Sequence, residues 1–268
     1  MKAKGGGMKV MAEAAVGKRF WHERVYPAWL PLVLAMGLVW RRRWWRFVVG
    51  GLNRPLIFLA LFAWSFKGTA AASHLHFLVP GLAALAAVSG SYGDLVNWFT
   101  LRRKYFQVLD EYLLAPVSTR SLLVGHLIGG GAKGLVVAAL VYLSGWAVAG
   151  GLCFNPLFLL QLAVIAFTFA ALAVAVAMVA NGDKDVLIFT NLVVLPMTFF
   201  CGTFFPVEGL PGVLSKLAWF LPLTAGTYHL RALALGEPVH WGWLAQSIGW
   251  FCALYTLAYL LLCWRRQD

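Results

Sequence analysis

The sequence is poor in charge, and above all in acidic side chains. Of its 268 residues only 12% are charged, and 10 Asp and Glu stand against 22 Lys and Arg. A soluble domain has about twice that charged share, near 25%. The composition therefore excludes a disordered chain, a coiled coil and an ordinary cytosolic enzyme.

Cysteine is also scarce, and the signatures of several enzyme classes are missing. The four cysteines are scattered, without a C-x-x-C pair, which argues against a disulfide framework, a zinc site and a haem attachment. The sequence has no G-x-x-x-x-G-K-[ST] phosphate loop, no H-E-x-x-H and no G-x-S-x-G. We therefore predict that the chain is not an enzyme, holds no metal or other cofactor, and cannot use ATP by itself.

Long apolar runs dominate what is present, because 61% of the residues are hydrophobic. A helix needs roughly 20 mostly apolar residues to cross a bilayer. A shorter run after Pro55 becomes a span if Pro55 begins a helix and if Arg54 or Lys67 reaches the interface. The predicted fold class is an all-α polytopic membrane protein. Its six transmembrane helices lie at about 53–70, 77–99, 121–148, 156–180, 186–204 and 241–263.

The basic residues are unevenly divided between the two sides that six spans define. Eleven precede residue 55, four lie between the second and third spans, and the tail contains Arg265 and Arg266. All of these fall on one side, whereas the connection between the first two spans has only Lys67. The positive-inside rule then places both termini in the cytoplasm.

Aromatic and basic side chains alternate just before the first span. We divide the chain into an N-terminal cytoplasmic or interfacial segment, 1–40, and a transmembrane domain, 41–268. The alternation predicts an interfacial helix whose rings lie at headgroup level and whose charges meet anionic lipid. Nucleic-acid binding is the alternative, but beside a membrane span we predict no nucleic-acid partner. The residues of this interface helix are Trp40, Arg41, Arg42, Arg43, Trp44 and Trp45.

The main cytoplasmic connection, 104–119, has apolar residues at helical spacing and an acidic cluster. An amphipathic helix here either lies on the membrane as a passive linker or docks on a protein. An anionic leaflet would repel the acidic cluster, which favours docking. The residues of the predicted docking helix are Phe106, Leu109, Asp110, Glu111, Tyr112 and Pro116.

The segment 204–238 is mostly apolar but is broken by prolines and glycines before it reaches span length. It predicts two short helices, Gly209–Phe220 and Leu223–Leu235, in an extracellular re-entrant hairpin between the fifth and sixth spans. Irregular backbone at membrane depth survives only where protein buries it or water reaches it. Two further spans are the alternative. The candidate gate residues are Phe205, Pro206, Leu210, Pro211, Pro222, Thr224, Tyr228 and Arg231.

Two ionisable residues lie inside predicted spans, where charge is rare and suggests function. Asp94 is near the cytoplasmic end of the second span, and Lys133 is near the middle of the third. They either form a pair or meet other neighbours separately. The third span also has small residues at i and i+4, including Gly130 and Gly134, which predict close helix packing.

Three stretches together resemble ABC-2 type exporter permeases. They are FFCGTFFPVEGLP at 199–211, LPLT at 221–224 and LRALALG at 230–236. The likeness is greatest to the subgroup of nodulation-type lipo-oligosaccharide exporters and covers about residues 41–266. Cys201 stands where that family commonly has serine.

The resemblance implies a non-catalytic permease subunit in a bacterial inner membrane. Two permease copies would pair, and each would engage a separate ABC ATPase subunit, which holds ATP and Mg. Residues 41–52 would be the interface helix, 105–117 the coupling helix, and 206–236 the re-entrant pair that closes the exit.

The substrate implied by the subgroup is amphipathic, such as a lipid-linked oligosaccharide or a polysaccharide. A hydrophobic drug is the alternative within the family. Outside it, an ion-coupled secondary transporter would show inverted repeats and buried acids, and a membrane-embedded enzyme would show convergent His, Asp or Glu. We find neither pattern in the sequence.

Overall fold

The computed structural model is all-helical over the residues that it describes, which are 29–65, 70–104, 118–153 and 155–265. The predicted all-α class is therefore confirmed for these residues. The helices are α1 (Leu30–Ser65), α2 (Ala70–Val88), α3 (Asp94–Lys104), α4 (Thr119–Ala149), α5 (Pro156–Val179), α6 (Asp183–Phe189), α7 (Leu195–Phe200), α8 (Gly212–Phe220), α9 (Pro222–Ala234) and α10 (Trp241–Arg265). A π-helical turn, Ser89–Gly93, joins α2 to α3, and a second, Thr190–Val194, joins α6 to α7.

Four stretches of the described chain are long and apolar enough to cross a membrane. They are His74–Lys104, Thr119–Ala149, Pro156–Val179 and Trp241–Trp264. These coincide with the second, third, fourth and sixth predicted spans. The first predicted span contains a shorter apolar helix, Gly50–Phe62, and the fifth is divided among α6, a π-helical turn and α7. The total of six spans therefore stays a prediction.

The prediction that a helix begins at Pro55 is wrong. Helix α1 is continuous from Leu30 to Ser65, and Pro55 lies buried inside it. Proline within a helix removes one backbone hydrogen bond. Unwinding the helix in an apolar setting would leave several more N–H and C=O groups unpaired, so the helix continues. The predicted interface helix and the predicted first span consequently belong to one element.

One end of the bundle is formed by basic side chains and helix ends, and we call it the basic end. Arg103 at the end of α3 donates to the carbonyls of Met178 and Ala180, where α5 ends. Lys104 Nζ donates to the Asn181 carbonyl at 2.6 Å. Arg120, at the start of α4, lies 5.6 Å from the ring of Tyr259 in α10. Four elements therefore meet at this end.

The opposite end, which we call the hairpin end, contains α8, α9 and the connection between α4 and α5. His76 Nε2, near the start of α2, is 2.8 Å from the Gly150 carbonyl oxygen, where α4 ends. The Cys153 amide donates to the Ala234 carbonyl, where α9 ends, at 2.8 Å. In the six-span topology, the segments at the basic end lie on one side of the membrane and the segments at the hairpin end lie on the other.

Small residues allow α4 to pack closely on α2 and α3. A Cβ placed on Gly134 would lie 2.7 Å from Ser91 Cβ and 2.8 Å from the Ala87 carbonyl oxygen. A Cβ on Gly130 would lie 2.6 Å from Leu95 Cδ2. The predicted close packing is confirmed, and at these two positions it is a contact within the chain.

Candidate functional site

The proline-rich segment forms the two predicted short helices, as α8 and α9. Each begins at a proline boundary, since Pro211 precedes α8 and Pro222 occupies the first turn of α9. Helix α9 packs against α2, α5 and α10, whereas α8 leaves Val213 74% exposed and Leu217 60% exposed. The hairpin thus has a buried inner arm and an exposed outer arm.

Arg231 on α9 binds the turn after α7 and the start of α2 at once. Its Nη2 donates to the Gly202 carbonyl at 2.7 Å, and its Nε donates to the Phe77 carbonyl at 3.3 Å. The guanidinium carbon lies 3.5 Å from the centre of the Phe77 ring, which adds a cation–π contact. Arg231 is only 9% exposed. A buried cation held by carbonyls and a ring fixes the position of all three segments.

Tyr228, one turn before Arg231, holds the 3-10 turn Val207–Gly209 against α9. Its hydroxyl accepts a hydrogen bond from the Val207 amide at 2.8 Å and donates one to Glu208 Oε2 at 2.7 Å. Gly202 has a φ of +77°, and a Cβ there would lie 2.7 Å from the Tyr228 ring. Position 202 therefore favours glycine for two reasons, since its backbone is left-handed and the Tyr228 ring leaves no room for a Cβ.

Two threonines complete the contacts of the inner arm. Thr224 Oγ1 donates to the Ala218 carbonyl, which connects α9 to α8. Thr227 Oγ1 lies 2.6 Å from the Cys201 carbonyl oxygen and 2.8 Å from that of Thr224. Both threonines are fully buried.

The structure divides the eight predicted gate residues into two groups. Thr224, Tyr228 and Arg231 come together on α9. Phe205, Pro206 and Pro211 are exposed, and Leu210 and Pro222 are half-buried. Their role as a gate stays a hypothesis.

Sequence reasoning missed a buried polar chain that crosses the bundle behind α9. His229 Nδ1 donates to Gln161 Oε1 at 3.0 Å, and Gln161 Nε2 donates to Ser247 Oγ at 3.0 Å. The serine hydroxyl then donates to the Trp243 carbonyl at 2.9 Å. This network connects α5, α9 and α10. Gln161 is an isolated polar residue within a long apolar run, and Gln246 and Ser247 are an adjacent polar pair in another; that was the signal available in the sequence.

Asp94 and Lys133 form an ion pair between α3 and α4. The sequence left this pairing open, and the structure decides for it. The two side chains differ sharply in exposure, at 7% for Lys133 and 59% for Asp94. The pair adjoins the π-helical turn Ser89–Gly93, where the Tyr92 hydroxyl lies 3.1 Å from Thr190 Oγ1.

Most of the other predicted site residues lie outside the part of the chain that the structure describes. The docking helix, with Phe106, Leu109, Asp110, Glu111, Tyr112 and Pro116, lies outside the described residues. The interface stretch belongs to α1, on which Arg41 and Arg42 are exposed. The side chains of Trp40, Arg43, Trp44 and Trp45 are outside the described set.

No group of three or more His, Cys, Asp or Glu side chains could hold a metal ion in the part of the chain that the structure describes. The expectation that the chain holds neither metal nor cofactor stays a prediction. The polar groups of the hairpin form hydrogen bonds with backbone atoms and with one another. In the structure, these bonds hold the helices together.

Comparison with known proteins identifies the family. The model of the ABC-2 type transporter family matches residues 32–235. This chain belongs to that family, and it is a membrane subunit of an ABC transporter. The resemblance inferred from the sequence is confirmed.

Two curated relatives cover most of the chain. The inner membrane transport permease YadH of Escherichia coli (strain K12) is 27% identical over 199 residues, which are 72% of this chain and 74% of the relative. Nodulation protein J of Rhizobium meliloti (strain 1021) is 28% identical over 246 residues, which are 83% of this chain and 89% of the relative.

Proposed function

We propose that this chain is the permease subunit of an ABC exporter in the bacterial inner membrane. A separate ATPase subunit drives it, and its substrate is amphipathic, such as a lipid-linked oligosaccharide. The likeness to nodulation protein J and to an inner membrane transport permease supports this proposal. Two permease copies and two ATPase subunits make up the complex, and both termini of the permease lie in the cytoplasm.

One structural observation supports the proposal most strongly. A single helix runs from the basic end of the bundle to the hairpin end. His74–Lys104 is one continuous helix of 31 residues. It ends at the residue before the predicted docking segment, 105–117. Near its other end, the Phe77 carbonyl accepts a hydrogen bond from Arg231 of the hairpin. A push on the docking segment therefore has a packed route to the hairpin.

In the proposed cycle, ATP and Mg are held entirely by the ATPase subunits. Closure of the ATPase subunits moves the docking segments. Each docking segment in turn moves the helix His74–Lys104 that precedes it in the chain. Because Arg231 joins this helix to α9 and to the turn at Gly202, the movement shifts the hairpin and opens the hairpin end of the bundle. The permease contributes packing and hydrogen bonds to this step, and no catalytic group.

Co-purification with an ATPase tests the proposal. We expect the permease, purified in detergent from the cells that naturally make it, to retain an ABC ATPase subunit. Combining Asp110→Arg with Glu111→Arg is expected to abolish retention, because the acidic cluster of the docking helix is then reversed in charge. The matched control reverses two other acids before the first span, with Glu13→Arg and Glu23→Arg.

Retention of the ATPase by the docking variant would contradict the assignment of 105–117 as the coupling helix. Loss of retention in the control as well would show that net charge, and not that helix, governs binding. Elution of all variants at the same size-exclusion volume establishes that each permease is folded.

A further inference from the structure

Asp94 presents an exposed carboxylate on a helix that is long and apolar enough to cross a bilayer. Its side chain is 59% exposed. It lies eight residues before Arg102, which is about 12 Å along an α-helix. A charged side chain at that depth is costly against lipid, and such groups normally face protein or a water-filled cavity. The exposed face of Asp94 is therefore expected to meet water or a polar ligand.

Lys133 neutralises this carboxylate without covering it. The lysine is 7% exposed and approaches from α4, so it occupies the inner side of the aspartate. The pair has no net charge. Its outer surface is formed by carboxylate oxygen, which accepts hydrogen bonds and repels anions.

Asn97 extends the same edge by about one helical turn. Its side chain is exposed, and its Nδ2 donates to the Gly93 carbonyl at 2.9 Å. Its amide oxygen accepts no hydrogen bond from the described residues. A Cβ placed on Gly93 would meet nothing within 4 Å, so there is open space on this edge. Asp94 and Asn97 thus present two hydrogen-bond acceptors beside a gap.

The backbone at this edge is also irregular. The π-helical turn Ser89–Gly93 immediately precedes Asp94, and such turns inside α-helices are frequent at functional sites. Here the turn places Ser91 and Tyr92 on the buried side, where Ser91 Oγ donates to the Ala87 carbonyl at 2.6 Å. Asp94 and Asn97 remain on the outer side.

We propose that Asp94 and Asn97 bind the hydroxyl groups of an uncharged, polyhydroxylated head group, with Lys133 balancing the charge of Asp94. Two acceptors suit O–H donors, and the outward carboxylate disfavours phosphate or sulfate. This inference rests on the proposed function in one respect, since it takes the bound group to belong to the transported substrate. It places that group on the α3 edge, between the basic end and the hairpin end.

The first test measures water access in membrane vesicles of the full chain. In a background without the four native cysteines, a Gly93→Cys variant, which keeps both Asp94 and Asn97, is labelled with a charged, membrane-impermeant thiosulfonate. The control is Val136→Cys, on an apolar face of α4, where valine is 48% exposed. We expect the Gly93→Cys variant to react and the control to stay unlabelled. If the Gly93→Cys variant is shielded or forms a disulfide-linked dimer, the edge is a protein interface and the proposal fails.

The second test measures protection from labelling by three amphiphiles with the same dodecyl chain, below solubilising concentration. They are dodecyl maltoside, dodecyl sulfate and dodecyltrimethylammonium. We expect the maltoside to protect the Gly93→Cys variant best, because Asp94 and Asn97 are both present in it. Removing both charges with Asp94→Asn and Lys133→Met should keep the helices packed and the site accessible. It should raise the half-protecting maltoside concentration about tenfold, as loss of a charged acceptor predicts.

Each other result overturns the proposal. Best protection by the ammonium would show a cation site, and equal protection by all three would show that the alkyl chain alone binds. Unchanged protection in the variant without charges would exclude Asp94. Neither test uses ATP or the ATPase, so failure here leaves the co-purification result standing. Failure of co-purification likewise leaves the protection result interpretable.

Discussion

Among the residues that the structure describes, two cations are buried, Arg231 and Lys133, and they are held in different ways. Arg231 binds the backbone carbonyls of Gly202 and Phe77 and the face of the Phe77 ring. Lys133 forms an ion pair with the carboxylate of Asp94, whose side chain is 59% exposed. The first cation is enclosed by three segments of the chain, whereas the second has a partner that reaches the surface.

We infer from this difference that Arg231 stabilises the fold, whereas Lys133 balances the charge of an exposed carboxylate. Without Arg231, the carbonyl of Gly202 would lie in a buried turn without this donor, which costs the desolvation of that group. The Asp94 carboxylate already meets the surroundings, so breaking its pair costs less. The hairpin end should therefore depend on Arg231, and the α3–α4 contact should depend on packing more than on charge.

Arg231→Met is expected to have the largest effect. It leaves the Gly202 carbonyl without its donor and removes the cation from the face of the Phe77 ring, so it should lower the free energy of unfolding by about 3 kcal/mol. Unfolding in detergent micelles, followed by fluorescence, measures the loss. Lys216→Met removes an exposed cation from α8 and should have little effect. Equal losses in the two variants would refute the structural role of Arg231.

Gly134→Ala is expected to be next, and it tests whether packing dominates beside Lys133. The added Cβ would lie 2.8 Å from the Ala87 carbonyl oxygen, so α4 must move away. Overpacking of this kind costs about 2 kcal/mol, measurable in the same unfolding assay. Gly249→Ala is the control, since a Cβ there meets nothing within 4 Å. A Gly134→Ala variant as stable as its control would show that the two helices are not held closely.

Tyr228→Phe should have a smaller effect on the hairpin end. It removes the hydroxyl that bridges Val207 and Glu208, a loss of about 1 kcal/mol. Limited proteolysis of the segment 204–211 reports its release from α9 and should become faster. Tyr255→Phe serves as the comparison, because the Tyr255 hydroxyl has no hydrogen bond to a residue among those described. Unchanged proteolysis of the Tyr228 variant would remove this contact from the account.

The Asp94–Lys133 pair should show the smallest coupling. A double-mutant cycle of Asp94→Asn and Lys133→Met is expected to give about 0.6 kcal/mol, as is usual for polar pairs in membrane proteins. The cycle contains its own controls in the two single variants. A coupling energy as large as the loss of stability in Arg231→Met would contradict the distinction between the two cations.

The sequence predicts best those elements that are long and uniformly apolar. The run at 156–180 appears as α5, Pro156–Val179, because nothing interrupts its periodicity. The run at 186–204 is different, since a π-helical turn at Thr190–Val194 divides it and its last helix ends at Phe200. The prediction at Pro55 is wrong because a proline in the first turn of a helix and a proline within a helix have the same local sequence pattern.

The candidate site shows the same limit. Arg231 could be selected from the sequence because a cation within an apolar segment is rare. Its partners could not be foreseen, because they are backbone carbonyls and leave no side-chain signal. The connection from His229 through Gln161 to Ser247 joins residues up to 86 positions apart, so only the packing of three helices reveals it.

The central claim is that ATP use at the basic end opens the hairpin end, and Cys201 allows a direct test. This native residue is fully buried in the turn beside Arg231. A variant that retains it as the sole thiol, reconstituted with the ATPase, is labelled with and without MgATP. We predict labelling that accelerates with MgATP, while a variant with exposed Cys153 as its sole thiol reacts equally in both conditions. Labelling of Cys201 at one rate in both conditions would contradict the claim.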